Sequence, residues 1–159
     1  MMQEDPRFVH GGNAYEPTAD GEPWLDFSAN INPLGLSPRV KEAIIAHIED
    51  AIHYPDPKMR ELRAALSAYY DRAPADFILG NGAAELFYLY AFVMRPKRVL
   101  LPVPAFSEYE RAAHAAGVAV SYSPLEERAG FEPDLIFLAE EAQRVQADCI
   151  VLGNPNNPT

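Results

Sequence analysis

The segment LGNGAAE (residues 79–85) decides the fold class, because it has the form of a tight turn between a strand and a helix. Two glycines allow the backbone to turn sharply. The first amides of the following helix have no intrahelical acceptor, and with the positive end of the helix dipole they favour a bound phosphate. The segment therefore predicts either an anion cradle or an ordinary strand-to-helix turn, and the residues alone leave both open.

From residue 77 onward, short apolar runs alternate with helical stretches, which is typical of βαβ units. The predicted strands are Phe77–Leu79, Val99–Leu101, Val118–Tyr122 and Cys149–Leu152. The predicted helices are Ala83–Met94, Phe106–Ala116 with Gly117 as its C-terminal stop, and Asp134–Gln143. The first of these helices is apolar nearly all round and should be buried on more than one side. The fold class is α/β, with a mostly parallel sheet and flanking helices.

An extended arm and two helices precede this α/β part. Residues 1–36 are rich in Gly, Pro and polar residues and surround one brief predicted strand, Trp24–Phe27. A helix starting at Ser37-Pro38 should bury the face formed by Val40, Ile44, Ile48 and Ile52. Asp56-Pro57 should cap a second helix, whose inward residues are Met59, Leu62, Leu66 and Tyr69. We divide the chain into an arm (1–36), a helical segment (37–76) and the first, incomplete part of an α/β domain (77–159).

Two further segments follow predicted strands. PVPAFSEY (residues 102–109) comes after one strand, and GNPNNPT (153–159) comes after the last. Open α/β sheets bind ligands at the carboxyl ends of their strands, so all three segments should converge on one crevice there. Phe106 either lies flat on a planar cofactor or packs against the sheet. The asparagines are either turn residues or hydrogen-bond donors to a phenolate or carboxylate.

Other chemistries lack their residue patterns. There is no Walker-type sequence, and Glu85 stands where the dinucleotide fingerprint needs its third glycine. No serine lies in a GxSxG elbow, and the four histidines show no metal-ligand spacing. His47 and His114 fall within predicted helices as surface or boundary residues. Cys149 is expected to be a small core residue.

Composition excludes further classes. The 159 residues include 13 Lys+Arg and 23 Asp+Glu, and the net charge of -10 argues against a nucleic-acid partner. No apolar run reaches the roughly 20 residues that a membrane span needs, and the start does not resemble an export signal. One cysteine cannot form an internal disulfide, so nothing requires an oxidising compartment. We expect a cytoplasmic protein.

Six motifs carry a resemblance to a known family: HGGN (10–13), LDFSANINPLG (25–35), YPDP (54–57), GNGAAE (80–85), PAFSEY (104–109) and NPNNPT (154–159). Together they resemble the first portion of fold-type I pyridoxal-phosphate enzymes, in the group of histidinol-phosphate aminotransferase and threonine-phosphate decarboxylase. The pair HGGN and DFSANINPLG is closer to the decarboxylase of cobalamin biosynthesis. The resemblance thus implies decarboxylation of L-threonine O-3-phosphate, with histidinol-phosphate or related class I/II transamination as the alternative.

The resemblance also implies roles for individual residues. The backbone of Gly82, Ala83 and Ala84 would hold the phosphate of pyridoxal 5'-phosphate, in agreement with the anion cradle inferred above. Phe106 would stack on the pyridine ring. Asn157 would hydrogen-bond the 3′ oxygen of that ring.

Other implied roles concern the substrate and a second subunit. Tyr54 would reach the cofactor phosphate of the neighbouring subunit, which implies an obligate homodimer. His10, Asn13 and Asn32 would lie on the substrate side, where a phosphorylated amino acid is recognised.

The residues that would perform the chemistry are not among these motifs. In the family, the Schiff-base lysine, the aspartate facing the pyridine nitrogen and the arginine for the substrate carboxylate all follow NPNNPT. Lys41, Lys58 and Lys97 have no matching context, so no catalytic residue is assigned. A second alternative is therefore a non-catalytic phosphate-binding fragment or dimerisation partner, which would bind phosphate compounds without turnover.

Overall fold

The computed structural model describes residues 11, 12, 14, 15 and 17–159, which form two compact units. The described residues up to Phe77 form one unit, and Ile78–Thr159 form the other. The first unit contains α1 (Pro38–Ala46), α2 (Arg60–Tyr70) and the 3-10 helices Ile48–Ile52 and Pro74–Asp76. The second contains α3 (Ala83–Met94), β1 (Arg98–Val103), α4 (Ser107–Ala115), β2 (Ala119–Pro124), the 3-10 helix Glu127–Ala129, α5 (Leu135–Val145) and β3 (Cys149–Ile150).

A parallel sheet in the order β2-β1-β3 organises the second unit, as the sequence predicts. Successive residues of a strand point to opposite faces, and β1 uses this alternation to build two cores. Val99 packs with Ala113 and Val118 on the side of α4. Leu100, which is fully buried, packs with Leu138 and Ala142 of α5 on the other side. The α/β class with flanking helices is confirmed.

The strand order places a topological switch point beside β1. The chain leaves β1 through α4 to reach β2 on one side, and it returns through α5 to β3 on the other side. The loops that follow β1 and β3 therefore flank the crevice at the carboxyl ends of these two neighbouring strands. Open α/β sheets bind their ligands in such a crevice.

Gly117 ends α4 as predicted. Its φ of 71° is left-handed, its N–H donates to the carbonyl of His114, and the Val118 N–H donates to the carbonyl of Ala113 at 2.9 Å. These two bonds form a Schellman motif, which satisfies carbonyls that the helix end would otherwise leave unpaired. The motif turns the chain directly into β2.

Asp134 starts α5 by capping it. Its Oδ1 accepts the N–H groups of Ile136 at 2.9 Å and Phe137 at 3.0 Å. We expect Asp134→Ala to lower the free energy of unfolding by about 0.5–2 kcal/mol, the usual contribution of an N-cap side chain. Urea denaturation measures this loss. Asp134→Asn keeps an acceptor oxygen and should retain most of the stability; equal losses in both variants would contradict the capping role.

Asp148 joins the start of β3 to the start of β1. Its carboxylate accepts the N–H of Lys97 at 3.0 Å and of Arg98 at 3.1 Å, and these two bonds lower its pKa. Because the folded pKa is lowered, the stabilisation is present above the ordinary aspartate pKa of about 3.9 and is lost as the pH falls through the folded value.

We therefore expect Asp148→Asn to be less stable than the unmodified chain at neutral pH, with a difference that disappears at acid pH. Denaturant unfolding from pH 7 to pH 2.5 measures this difference. The other carboxylates contribute equally to the free energy of unfolding of both proteins, so their contributions cancel in the difference. A difference that persists unchanged below the folded pKa would contradict the assignment.

Three predicted strand features are wrong. Phe77–Leu79 is not a strand, because it pairs with none of the three strands of the sheet. Trp24–Phe27 is also unpaired. The last strand is shorter than predicted, although Val151 still donates to the Leu100 carbonyl at 3.2 Å. Cys149 is a half-buried strand residue that packs against the core of Val99, Ala113 and Val118, with Sγ 3.7 Å from the Tyr90 hydroxyl oxygen.

The predicted burial of the helices is also wrong. The first helix ends at Ala46, so two of its apolar residues fall in a separate 3-10 turn, and its expected face is exposed at Val40, Ile44, Ile48 and Ile52. In α2, the expected inward residues Met59, Leu62 and Tyr69 are exposed and Leu66 is half-buried. The reason is that no described residue of this unit is buried, so there is no core for these faces to join.

In α3 only Ala91 is buried, because one side of the helix packs on α4 and its other apolar residues face outward. Among the described residues, no helix has the length and apolar character needed to cross a bilayer.

Candidate functional site

Two of the three predicted segments meet at the carboxyl edge of the sheet. The Asn156 side-chain amide donates to the Pro104 carbonyl at 2.9 Å and to the Thr159 hydroxyl at 2.7 Å. A Cβ placed on Gly153 would lie 3.2 Å from the Tyr109 hydroxyl oxygen. The loops after β1 and β3 are thus in direct contact at the switch point, where Pro102, Ala105 and Gly153 help to line a small cavity.

The third segment, at the start of α3, is linked to the others through aromatic contacts. The ring of Phe87 lies one turn beyond Ala83 and packs edge-to-face on the ring of Tyr109, with centroids 4.6 Å apart. Because Tyr109 also contacts Gly153, α3, α4 and the final loop share one packed cluster. The structure therefore joins the segments 102–109 and 153–159 directly, and it packs α3 against them through Phe87, two residues beyond the segment 80–85.

Gly82 gives the start of α3 its geometry. It is the N-cap residue, with φ 84° and ψ 167°, a conformation open almost only to glycine. No side chain caps this helix, and no neighbouring atom lies within 4 Å of a Cβ placed on Gly82. The first amides of α3, from Ala83 and Ala84, therefore border open space, in contrast to the amides of α5 that Asp134 caps.

Glu85 points back into the turn rather than toward a ligand. Its Oε2 accepts the Asn81 N–H. A Cβ on Gly80 would lie 2.9 Å from the same oxygen and 2.8 Å from Leu86 Cδ2, so a side chain there would displace the Glu85 and Leu86 side chains. The carboxylate accepts a hydrogen bond within the Gly80–Gly82 turn and, in the first turn of α3, complements the helix dipole.

Phe106 immediately precedes α4 as its N-cap residue and is half-buried. Its ring packs edge-to-face on Tyr109, with centroids 5.8 Å apart and an interplanar angle of 89°. The packing interpretation of Phe106 is thus observed, while its stacking on a cofactor ring stays a prediction. The next turn carries Glu108, which is buried and accepts a hydrogen bond from Arg111 at 3.0 Å.

Asn157 is exposed, whereas Asn156 is half-buried and makes the bonds that hold the loop. Sequence reasoning missed Asn156 because adjacent asparagines in a turn are indistinguishable without coordinates. It also missed Tyr109 as the residue shared by the three segments. The signal for Tyr109 was its spacing, since residues three apart on a helix lie on one side and Phe106 precedes it by three.

The remaining predicted site residues lie elsewhere. Tyr54 is in the first unit and is 99% exposed, beside Asp56, whose carboxylate accepts the Arg60 N–H and caps α2 as predicted. Asn32 accepts the Leu34 N–H at 3.0 Å through Oδ1, which commits that oxygen to its own turn. His10 and Asn13 lie outside the described residues.

Within the first unit, the described residues of the HGGN motif contact the DFSANINPLG motif. The Gly12 N–H donates to the Ser28 hydroxyl at 2.8 Å. Ser28 in turn donates its hydroxyl and its backbone N–H to the Asp26 carboxylate, and these two bonds from Ser28 lower the pKa of Asp26. A Cβ on Gly11 would lie 1.9 Å from the Ser28 carbonyl oxygen. The described part of HGGN is therefore seated directly on the DFSAN turn. Within the described ranges, no group of three or more His, Cys, Asp or Glu side chains is arranged to hold a metal ion.

A three-stranded parallel sheet with ligand segments at its carboxyl edge defines a cofactor-binding domain of the fold-type I pyridoxal-phosphate class. The family model for aminotransferase class I and II matches residues 22–159, and the chain belongs to this family. The structure is similar to that of histidinol-phosphate aminotransferase from Sinorhizobium meliloti in complex with pyridoxal-5'-phosphate, with a TM-score of 0.73 and 25% identity over 82% of this chain and 35% of that one. The cofactor is pyridoxal phosphate.

Curated relatives include both activities of the group. The threonine-phosphate decarboxylase of Salmonella typhimurium is 37% identical over 156 residues, which cover 95% of this chain and 42% of that protein. The histidinol-phosphate aminotransferase of Symbiobacterium thermophilum is 41% identical over 138 residues, which cover 85% of this chain and 37% of that protein. The chain therefore spans about two fifths of the length of these relatives.

Proposed function

We propose that this chain contributes the phosphate- and ring-binding part of a pyridoxal-phosphate-dependent threonine-phosphate decarboxylase. The observation that carries the proposal is the meeting of segments 102–109 and 153–159 at the carboxyl edge of the sheet, with α3 packed against them through Phe87. Support for the decarboxylase comes from the motif pair HGGN and DFSANINPLG and from the relative in Salmonella typhimurium. Histidinol-phosphate transamination is the alternative, supported by the relative in Symbiobacterium thermophilum.

The residues at this edge fit the cofactor. The uncapped amides of Ala83 and Ala84 and the open space at Gly82 suit a phosphate group, because helix N-termini bind anions through free N–H groups and the helix dipole. We assign Phe106 to stacking on the pyridine ring and Asn157 to hydrogen bonding with the 3′ oxygen. When bound, pyridoxal phosphate supplies an acceptor for the electron pair released when a bond to Cα of the substrate breaks.

Substrate orientation decides which bond breaks. Loss of carbon dioxide requires the Cα–carboxylate bond to stand perpendicular to the conjugated ring system, whereas transamination requires the Cα–H bond in that position. We assign His10, Asn13 and Asn32 to recognition of the phosphorylated amino acid that must be held in one of these orientations.

We further propose a cytoplasmic homodimer in which Tyr54 reaches the cofactor phosphate of the partner subunit. The nearly complete exposure of the Tyr54 side chain supports this role, since a side chain that reaches into a partner subunit is not packed against its own subunit. Cys149 is a free thiol, which suits a reducing compartment.

An activity assay on the complete gene product separates the two reactions. Release of carbon dioxide from L-threonine O-3-phosphate, without any need for 2-oxoglutarate, is the expected result. Turnover of histidinol phosphate that depends on 2-oxoglutarate, with no carbon dioxide from threonine phosphate, would replace the decarboxylase by the alternative. Binding of pyridoxal phosphate with neither reaction would support the non-catalytic alternative.

A further inference from the structure

We propose that Tyr109 is a positioning residue that holds the three cofactor-binding segments in a common arrangement. This inference rests on the proposed function, because the residues that Tyr109 would hold are those assigned to the cofactor. The contacts of Tyr109 themselves are present in the protein without a ligand. Tyr109 lies in the first turn of α4 and is half-buried. From this place it contacts Phe87 of α3, two residues beyond the first segment, Phe106 of its own segment, and the start of the third segment at Gly153.

The ring of Tyr109 makes two edge-to-face contacts. One is with Phe87 of α3 at 4.6 Å and 83°, and the other is with Phe106 at 5.8 Å and 89°. Edge-to-face pairs place the positive edge of one ring against the negative face of another, so they constrain orientation as well as distance. The first contact holds the helix that begins at Gly82, and the second holds the ring assigned to the cofactor.

The hydroxyl end of Tyr109 contacts the third segment. It lies so close to Gly153 that a Cβ there would be 3.2 Å from the hydroxyl oxygen, a tight contact that glycine avoids. Gly153 begins the loop that carries Asn157, and Asn156 ties the same loop to the Pro104 carbonyl at 2.9 Å. The ring and the hydroxyl of one side chain thus act on different segments, which makes their roles separable.

Backbone ¹⁵N relaxation on the cofactor-free chain tests this role with two variants. Tyr109→Leu removes both ring contacts and the hydroxyl, so order parameters should fall from about 0.85 toward about 0.6 in residues 80–84 and 153–157. Tyr109→Phe keeps the ring contacts, so only residues 153–157 should become more mobile. Phe137→Leu is the matched control, because it removes a half-exposed aromatic ring from the first turn of α5 and should leave both segments unchanged.

The results separate positioning from general stability. If Tyr109→Leu does not fold, Tyr109→Phe decides, and unchanged order parameters at 153–157 in that variant would overturn the proposal. Equal loosening of α5 and of the three segments in Tyr109→Leu would also overturn it. Calorimetric titration of the unmodified chain with pyridoxal phosphate is run alongside: failure to bind would refute the proposed function, while the relaxation data would still decide the role of Tyr109.

Discussion

Replacing Gly82 with leucine is expected to weaken the binding of pyridoxal phosphate by at least about tenfold. The backbone at Gly82 has φ 84° and ψ 167°, and holding a non-glycine residue in such a region costs about 1–3 kcal/mol. A chain that relaxes this strain moves the amides of Ala83 and Ala84 away from the cofactor phosphate that both of them would bind. A chain that keeps the conformation places a leucine side chain in the open space beside the helix N-terminus. Either response lowers affinity, which calorimetric titration measures.

Gly130→Leu is the matched control for this experiment. Gly130 also has a left-handed φ, 64°, and also has no atom within 4 Å of a Cβ position, but it follows the 3-10 helix before α5. The Gly130→Leu variant should therefore be less stable, because leucine is strained at a left-handed φ, but it should bind pyridoxal phosphate as tightly as the unmodified chain. Unchanged affinity in Gly82→Leu, or an equal loss in both variants, would remove the anion cradle from the account.

Replacing Phe106 with leucine should weaken pyridoxal phosphate binding by about two- to tenfold, because an aromatic stacking contact contributes about 0.5–1.5 kcal/mol beyond the area that it buries. Phe106→Tyr keeps the ring and should bind nearly as tightly as the unmodified chain. The same titration with inorganic phosphate should show no effect of either substitution, since phosphate alone has no ring to stack on.

A loss of affinity for inorganic phosphate in Phe106→Leu would contradict this division of roles. It would indicate that the side chain acts on the cradle through its packing with Tyr109 instead of contacting the cofactor ring.

The parts of the fold that local chemistry determines were predictable from sequence. Gly117 as a helix stop and Asp56 as the acceptor for the first amide of α2 depend on bonds within a few residues, and both are observed. The central strand was predictable because Val99, Leu100 and Leu101 are consecutively apolar, as expected for a parallel strand buried on both faces.

Features that depend on distant partners were not predictable. Phe77–Leu79 has the composition of a strand, but a strand forms only where a segment pairs with a neighbour, and this segment pairs with none of β1, β2 and β3. The apolar face of α1 has a helical period, yet burial requires a surface to pack on, and none of the described residues of its unit is buried. Periodicity reports what a segment is suited to contact, and not whether the contact is made.

The candidate site shows the same division. The segments at the carboxyl edge followed from strand order and motif position, so their meeting was predictable. The particular residues that join them were not, because Asn156 and Tyr109 act through contacts with Pro104 and Phe87 that are 52 and 22 positions away.

We propose that the start of α3 binds the cofactor phosphate while the loops after β1 and β3 contact the pyridine ring of the cofactor. Amide chemical-shift titration of the ¹⁵N-labelled chain, with pyridoxal 5'-phosphate and then with pyridoxal, tests it most directly. The account predicts that the phosphorylated compound shifts the amides of Gly82, Ala83 and Ala84 together with those of Phe106 and Asn157, and that pyridoxal leaves the first three unchanged. Equal shifts at Gly82–Ala84 with both compounds, or shifts confined to other parts of the chain, would contradict it.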